Sequence, residues 1–346
     1  MGMIHVGLIG YFGSGAYSDD LIEHVTKRLL LEARPDLTFD STLLRRGEAA
    51  SNPDYLNSFD LLIHCGGSLL GKCTHYPVRD IAKWVDKVKT PLAIFGLGYR
   101  FEPDKEPLAP EMRERIRLLF EKSGVISVRG AYTVKHLQEN GIDTSKICSL
   151  ADPVIACDIR PRRDPKCIVG NVRDMPMVEI QHASTTTVQW FMAGCYDWLI
   201  DRYELPLQLV SWRHNMDTDN DVRGAYRTIS FMRNKGKVVV TNPPSFKETA
   251  DALGGAGFYF GQRLHPTVLV AVLGIPFVGV EYQFDKMLDW ASTVGIDNVV
   301  HTRDATLESF IEAHKRVEGN MAKLRETMPL KAAEIRATAK KIVELI

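Results

Sequence analysis

Short runs of uninterrupted apolar residues, several closed by glycine, alternate along this chain with stretches of helical spacing. That alternation restricts the fold more than any other feature of the sequence. The segments "IHVGLIGYFG" (4–13), "DLLIHCGG" (60–67), "PLAIFGLG" (91–98) and "GVISVRG" (124–130) read as strands. Between them, "SDDLIEHVTKRLLLEARP", "VRDIAKWVDKVK" and "PEMRERIRLLFEKSG" read as helices. Ser18 suits the N-cap of the first helix, and Pro35 stands just past its end. A strand that is apolar throughout needs cover on both faces, so this pattern predicts a parallel sheet with helices on either side.

The pattern breaks once, at the charged, proline-bearing stretch Arg160 to Lys166, which reads as a linker. It then resumes with strands at "CIVGNVRD" (167–174), "LPLQLVSWRH" (205–214), "KVVVTNP" (237–243), "GFYFGQRL" (257–264) and "IPFVGVEY" (275–282). Helices fall between them, notably "TVQWFMAGCYDWLIDRY" and "PTVLVAVLG", and residues 305–346 form a charged helical tail. The expected architecture is α/β: two doubly wound Rossmann-like domains, 1–160 and 167–304, facing a cleft. A chain of 346 residues agrees with two domains at roughly 100–200 residues each.

Composition removes several classes of function. Lys+Arg and Asp+Glu number 43 each, so nothing in the overall charge calls for a nucleic-acid partner. The opening "MGMIHVGLIGYFGSG" lacks a basic n-region and reads as a first strand, not a signal peptide. No apolar run reaches the length of a membrane span, which leaves room only for peripheral contact with a membrane. The six cysteines are scattered without CxxC pairs, as expected of reduced thiols in a cytoplasmic protein. His64, Cys65, Cys73 and His75 resemble a metal cluster in composition. His64 and Cys65 are adjacent on a strand, however, and point to opposite faces. No metal is expected.

In doubly wound sheets, ligands sit beyond the C-terminal ends of the strands. In the first half those ends carry Gly13, Ser14, Gly66, Gly67, Ser68, the stretch Gly96 to Arg100, and Arg129. In the second half they carry Asn171, Arg173, Trp212, Arg213, His214, Asn242, Arg263, Leu264 and His265. Arg173 and Arg263 each emerge from a buried strand, and arginine suits a two-pronged grip on carboxylate or phosphate. The plain alternative for each is an ion pair across the cleft. The acidic run "DTDND" (217–221) reads as a solvated loop.

At this point the residues resemble a family. The segment "FGQRLHPTVLVAVLGIPFVGVEYQFDKM" is similar to the most distinctive block of the polysaccharide pyruvyl transferases: Gly261, Arg263, Leu264 and His265, then Gly274, Pro276, Tyr282 and Lys286. Supporting blocks follow in order: "DLLIHCGGSLL", "VISVRGAYTVKHLQENGI" with Gly130 where aspartate is usual, "LADPVI" and "LVSWRHNMDTDND". The first turn departs from the family pattern. "GYFGSGAYSDDLI" lacks the usual asparagine, and Asp19 or Asp20 stands for its aspartate.

The resemblance implies a fold like that of the two-domain glycosyltransferases (GT-B). It also implies transfer of the pyruvyl group of phosphoenolpyruvate onto two hydroxyls of a sugar, as a cyclic ketal, in making cell-surface polysaccharide or exopolysaccharide. The sugar would be nucleotide-linked, lipid-linked or part of an oligosaccharide. No cofactor is implied. Arg263, Leu264, Arg173 and Lys286 would bind the donor, and His265 would protonate it. His214, His64 or Asp20 would serve as base, and the first-half turns (Gly13, Ser14, Asp20, Gly66, Gly67, Ser68, Arg129) would face the acceptor. Two alternatives stay open: a nucleotide-sugar glycosyltransferase with Glu281 gripping a ribose, and a non-catalytic sugar- or anion-binding homologue.

Overall fold

The computed structural model describes residues 3–13, 15–41, 52–70, 85–99, 108–174, 183–213, 220–282 and 285–346. The chain divides into two compact units. Met1–Ser14, Asp19–Ala156 and Pro329–Ile346 form the first; Gly15–Ser18 and Cys157–Met328 form the second.

The first unit is a parallel sheet built from β1 (Ile4–Ile9), β2 (Leu37–Asp40), β3 (Leu61–Cys65), β5 (Leu92–Tyr99), β6 (Ser123–Val128) and β7 (Ile147–Ser149). The order is β2-β1-β3-β5-β6-β7, and the short β4 (Ser68–Leu70) pairs with the end of β5. Every residue of β3 and β5 is buried, which is why their sequences are apolar without alternation. The helices are α1 (Tyr17–Ala33), α2 (Pro53–Leu56), α3 (Pro110–Lys122) and α4 (Ala131–Glu139). Helix α1 starts at Tyr17, so Ser18 lies inside its first turn and is not the N-cap. Asp19 and Asp20 place negative charge in that turn, where the helix dipole favours it. The helix expected over 78–89 falls mostly outside the described residues.

The second unit holds β8 (Cys167–Asn171), β9 (Leu207–Val210), β10 (Val238–Thr241), β11 (Ala256–Gly261), β12 (Phe277–Glu281) and β13 (Val299–His301). They run parallel in the order β10-β9-β8-β11-β12-β13. Its helices are α5 (Thr185–Tyr203), α6 (Asp221–Phe231), α7 (Phe246–Ala252), α8 (Leu264–Val272), α9 (Lys286–Val294), α10 (Leu307–Lys315) and the first part of the long α11 (Val317–Val343), whose later part belongs to the first unit. Ser184, Asn220 and Ser245 cap α5, α6 and α7 through their side chains, and Thr306 and Ser309 form a capping box on α10. Helix α8 is apolar around its circumference, and Leu264 through Ala271 are all buried. On the α5 side, the Tyr196 hydroxyl donates to the Phe260 carbonyl at 2.8 Å, and Phe260 packs edge-on against Tyr196 and Phe310.

Both sheets are doubly wound, as the alternation of apolar and helical segments requires. In the second, the chain turns back between β8 and β11. Strands after β8 add outward to β10, and strands after β11 add in the opposite direction. In sheets of this kind such a reversal is where ligands bind, beyond the strands' C-terminal ends. The corresponding point in the first unit lies between β1 and β3.

Candidate active site

The reversal between β8 and β11 brings two turns together. One is Asn171-Val172-Arg173-Asp174; the other is Gln262-Arg263-Leu264-His265. Gly261 pairs with Asn171 in register, and the Gln262 side-chain oxygen accepts the Arg173 backbone N–H at 2.8 Å. The main chain at Arg173 is thereby tied to the residue that precedes Arg263. Gln262 is fully buried and was not foreseen as a site residue; a single glutamine between Gly261 and Arg263 carries no signal in sequence.

Arg173 is 6% exposed, and its guanidinium carbon lies 4.7 Å from the ring centre of Tyr282 at the end of β12. The Lys286 ammonium is at the same distance from that ring and donates to the Tyr282 hydroxyl at 2.8 Å. A buried tyrosine thus carries two cations, one on its face and one reaching its oxygen. Lys286 is the first residue of α9, where its side chain remains close to the strand end.

Arg263 is the N-cap of α8, with extended backbone. Its Nε donates to both Asp221 oxygens at 3.2 and 3.3 Å, and its Nη2 donates to Oδ1 at 2.5 Å. Arg263 is thus held in an ion pair, with a partner from its own unit rather than across a cleft. Asp221 is buried, not part of a solvated run; the rest of "DTDND" apart from Asn220 lies outside the described residues. Asn220 caps α6, which directs the next residue toward the sheet. Leu264 and His265 occupy the first turn of α8, both buried, so the helix begins two residues before Pro266. His214 lies outside the described residues.

Around this centre, Asp174 is fully buried and paired with Arg223 and Arg227 of α6. Glu281, also fully buried, accepts the backbone N–H groups of Met287 (2.5 Å) and Leu288 (3.4 Å), so its carboxylate seats the start of α9.

The first-unit residues occupy strand ends of their own. The Gly13 N–H donates to the Asp20 carboxylate at 2.5 Å, which identifies Asp20 as the aspartate that shapes the first turn. Gly66 has φ +68°, and a Cβ there would lie 2.4 Å from Ile22, so neither the backbone nor the space admits a side chain. Gly67 and Ser68 follow it into β4; Ser14 lies outside the described residues. Arg129 is buried and pairs with Asp152 (2.9 Å), also buried, with Ser68 Oγ 3.5 Å from its Nη1. His64 is fully buried in β3, and neither ring nitrogen has a hydrogen-bond partner among the described residues. Burial lowers its pKa from 6.5 to about 3, which leaves it neutral and enclosed, unsuited to exchanging protons with a substrate. Burial likewise pushes the Cys65 thiol up, while Cys73 and His75 lie outside the described residues. Among the described residues, no group of three or more His, Cys, Asp or Glu side chains is placed to hold a metal.

Known proteins with similar structures share this architecture. A UDP-GlcNAc 2-epimerase from Neisseria meningitidis, bound to UDP-GlcNAc, superposes with a TM-score of 0.56 at 11% identity, covering 100% of this chain and 99% of that one. Anabaena Alr3699/HepE in complex with UDP-glucose gives a TM-score of 0.56 at 11% identity, covering 99% and 98%. At such identities the likeness reports the GT-B-like fold alone. A search of curated protein sequences found no match. A family model does match, that of the polysaccharide pyruvyl transferases, over residues 19–283. The matched stretch contains Asp20, the Gly66-Gly67 turn, Arg173, and the Arg263-Leu264-His265 turn with Tyr282, and on this evidence the chain belongs to the polysaccharide pyruvyl transferase family.

Proposed function

We propose that the protein moves the pyruvyl group of phosphoenolpyruvate onto two hydroxyls of a sugar, releasing phosphate and forming a cyclic ketal in the synthesis of a cell-surface polysaccharide. The observation that carries this reading is the meeting, at one sheet reversal, of Arg173 and Lys286 around Tyr282 with the Arg263-Leu264-His265 turn. Phosphoenolpyruvate is small and bears a carboxylate and a phosphate on one carbon. Holding it needs more than one cation gathered at one place, and Tyr282, in contact with both Arg173 and Lys286, gathers them. The first-turn amides of α8 add to the attraction for an anion.

His265 protonates the terminal enol carbon. A sugar hydroxyl then adds to the adjacent carbon, phosphate leaves from that carbon, and the second hydroxyl closes the ring. Of the two hydroxyl protons released, one balances the proton taken up by carbon and the other leaves on phosphate. The acceptor sugar, nucleotide-linked, lipid-linked or oligosaccharide, is assigned to the first unit's strand ends at Gly13, Asp20, Gly66, Gly67 and Ser68. Among the described residues no helix is long and apolar enough to cross a membrane. We assign the reaction to the cytoplasm, where its donor is made.

The rival reading is a nucleotide-sugar enzyme. It is weakened by Glu281, the acid suited to a ribose, whose carboxylate is already engaged at the start of α9. Calorimetry with phosphoenolpyruvate and with uridine diphosphate separates the two. Phosphoenolpyruvate should bind and uridine diphosphate should not; the reverse ranking overturns the reading. With a panel of acceptors, the sugar should then gain a pyruvyl mass as phosphate is released. Donor binding without such a gain on any acceptor would favour a binding protein.

A further inference from the structure

We propose that Asp221 is the positioning residue of this site: its buried carboxylate sets the guanidinium of Arg263 and ties it to the ends of three strands. The inference rests on the reading of Arg263 as part of a donor site. Asp221 receives more than the arginine. Its Oδ2 also accepts the Asn171 side-chain amide and the Trp212 backbone N–H, each at 2.9 Å. Asn171 ends β8, Trp212 follows β9, and Arg263 follows β11. One carboxylate therefore collects donors from both sides of the sheet reversal. Asn171 is in turn held by the Val210 carbonyl at 3.1 Å.

The direction of control follows from what is rigid. A carboxylate fixed by a main-chain N–H and a buried amide has little freedom to turn, whereas an isolated arginine side chain has several rotamers. The fork on Asp221 selects one of them. Fixing a ligand-binding side chain before the ligand arrives removes an ordering cost from binding. A buried ion pair is an inefficient way to gain stability alone, because apolar residues of similar volume often do as well. Its place at the sheet reversal fits a positioning role.

The informative variant is Asp221→Asn. It keeps the shape and one acceptor oxygen for Asn171 and Trp212, but turns an amide toward the guanidinium. Phosphoenolpyruvate affinity should fall about ten- to a hundredfold, the range for losing charge-assisted hydrogen bonds. The same change made in Arg263→Ala should add little, since the group being positioned is gone. Asp221→Glu, which restores the charge, should recover part of the affinity. Independently of any ligand, the Arg263 Nε–H, assigned by its loss in Arg263→Lys, should exchange slowly with solvent in the wild type and quickly in Asp221→Asn. Additive losses in the double variant, or slow exchange that survives Asp221→Asn, would show that Asp221 does not act through Arg263 and would overturn the proposal. If the wild-type protein binds no phosphoenolpyruvate, the donor reading falls, while the Nε–H exchange still decides whether Asp221 holds the arginine.

Discussion

Two buried residues show how environment separates scaffold from chemistry. Arg129 ends a first-unit strand much as Arg173 and Arg263 do in the second, and its pair with Asp152 is more enclosed still than that of Arg263 with Asp221. Removing one partner of a buried ion pair costs about 3–5 kcal/mol, because the other charge is left desolvated. Arg129→Ala should therefore lower the unfolding midpoint in urea clearly. An unchanged midpoint with a raised acceptor KM would instead place Arg129 in direct contact with sugar. His64 makes a second prediction. Its pKa is about 3 folded against 6.5 ordinarily, so below pH 6.5 the unfolded chain takes up a proton that the folded chain refuses. That contribution to stability is present above pH 6.5 and is lost as pH falls toward 3, at about 1.4 kcal/mol per pH unit. Between pH 6.5 and pH 5 the wild type should lose roughly 2 kcal/mol from this group, and His64→Leu should lose correspondingly less. Equal acid sensitivity in both proteins would mean that His64 can be protonated in the folded state. His265 differs in being placed beside Arg263 at a strand end. His265→Gln should lower kcat about 10²–10⁴-fold with a smaller change in donor affinity, as expected when a general acid is removed; a loss confined to affinity would make it an anchor.

Among the elements, α6 ties its own packing to the proposed donor site. Its Gly224 lies so close to the Val172–Asp174 turn that a Cβ would fall 2.8 Å from the Arg173 carbonyl carbon and from the Val172 oxygen. Exchanging glycine for alanine inside a helix ordinarily gains about 1 kcal/mol. Here Gly224→Ala should reverse that sign, because main-chain atoms must move to admit the methyl group, and phosphoenolpyruvate affinity should fall as Arg173 shifts. Wild-type affinity in a stabilised variant would show that the turn yields without cost. Of the nine strands read from sequence, eight are interior strands of their sheets with buried apolar runs; the ninth, β10, is an edge strand recognised by its three valines. The four that were not foreseen, β2, β4, β7 and β13, are three or four residues long, and three of them lie at sheet edges, where polar side chains are tolerated and the pattern fades. In the site, the turn carrying Arg263 and His265 was legible because those residue types are out of place between two apolar segments. Asp221 was not, since an acid within "DTDND" looks the same whether it faces water or an arginine; the difference lies in the helix start that Asn220 caps. Glu281 was legible as an acid near the site, but its use in seating α9 depends on contacts six and seven residues ahead.

In the molecule as a whole, helix α11 carries Pro329 within it and is divided there between the two units. A proline inside a helix removes one backbone hydrogen bond. The residues after it are nevertheless part of the first unit's core. Ile335 and Ile342 are fully buried, Leu345 lies against Gly124, and the Ile346 carbonyl accepts from Arg34 at 2.8 Å. Ile342→Ala should cost about 2–5 kcal/mol, as a cavity left by a large aliphatic side chain does. The loss should appear in hydrogen exchange of β1 and β6 rather than of β8 and β11; loosening of the second sheet instead would contradict this placement. The first unit thus holds both β1 and the segment Pro329–Ile346, and in sequence most of the second unit lies between them. During synthesis, then, every residue of the second unit, donor turn included, has been made before the first unit has its last helix. Folding of the half assigned to the acceptor therefore waits on a segment made after the donor half.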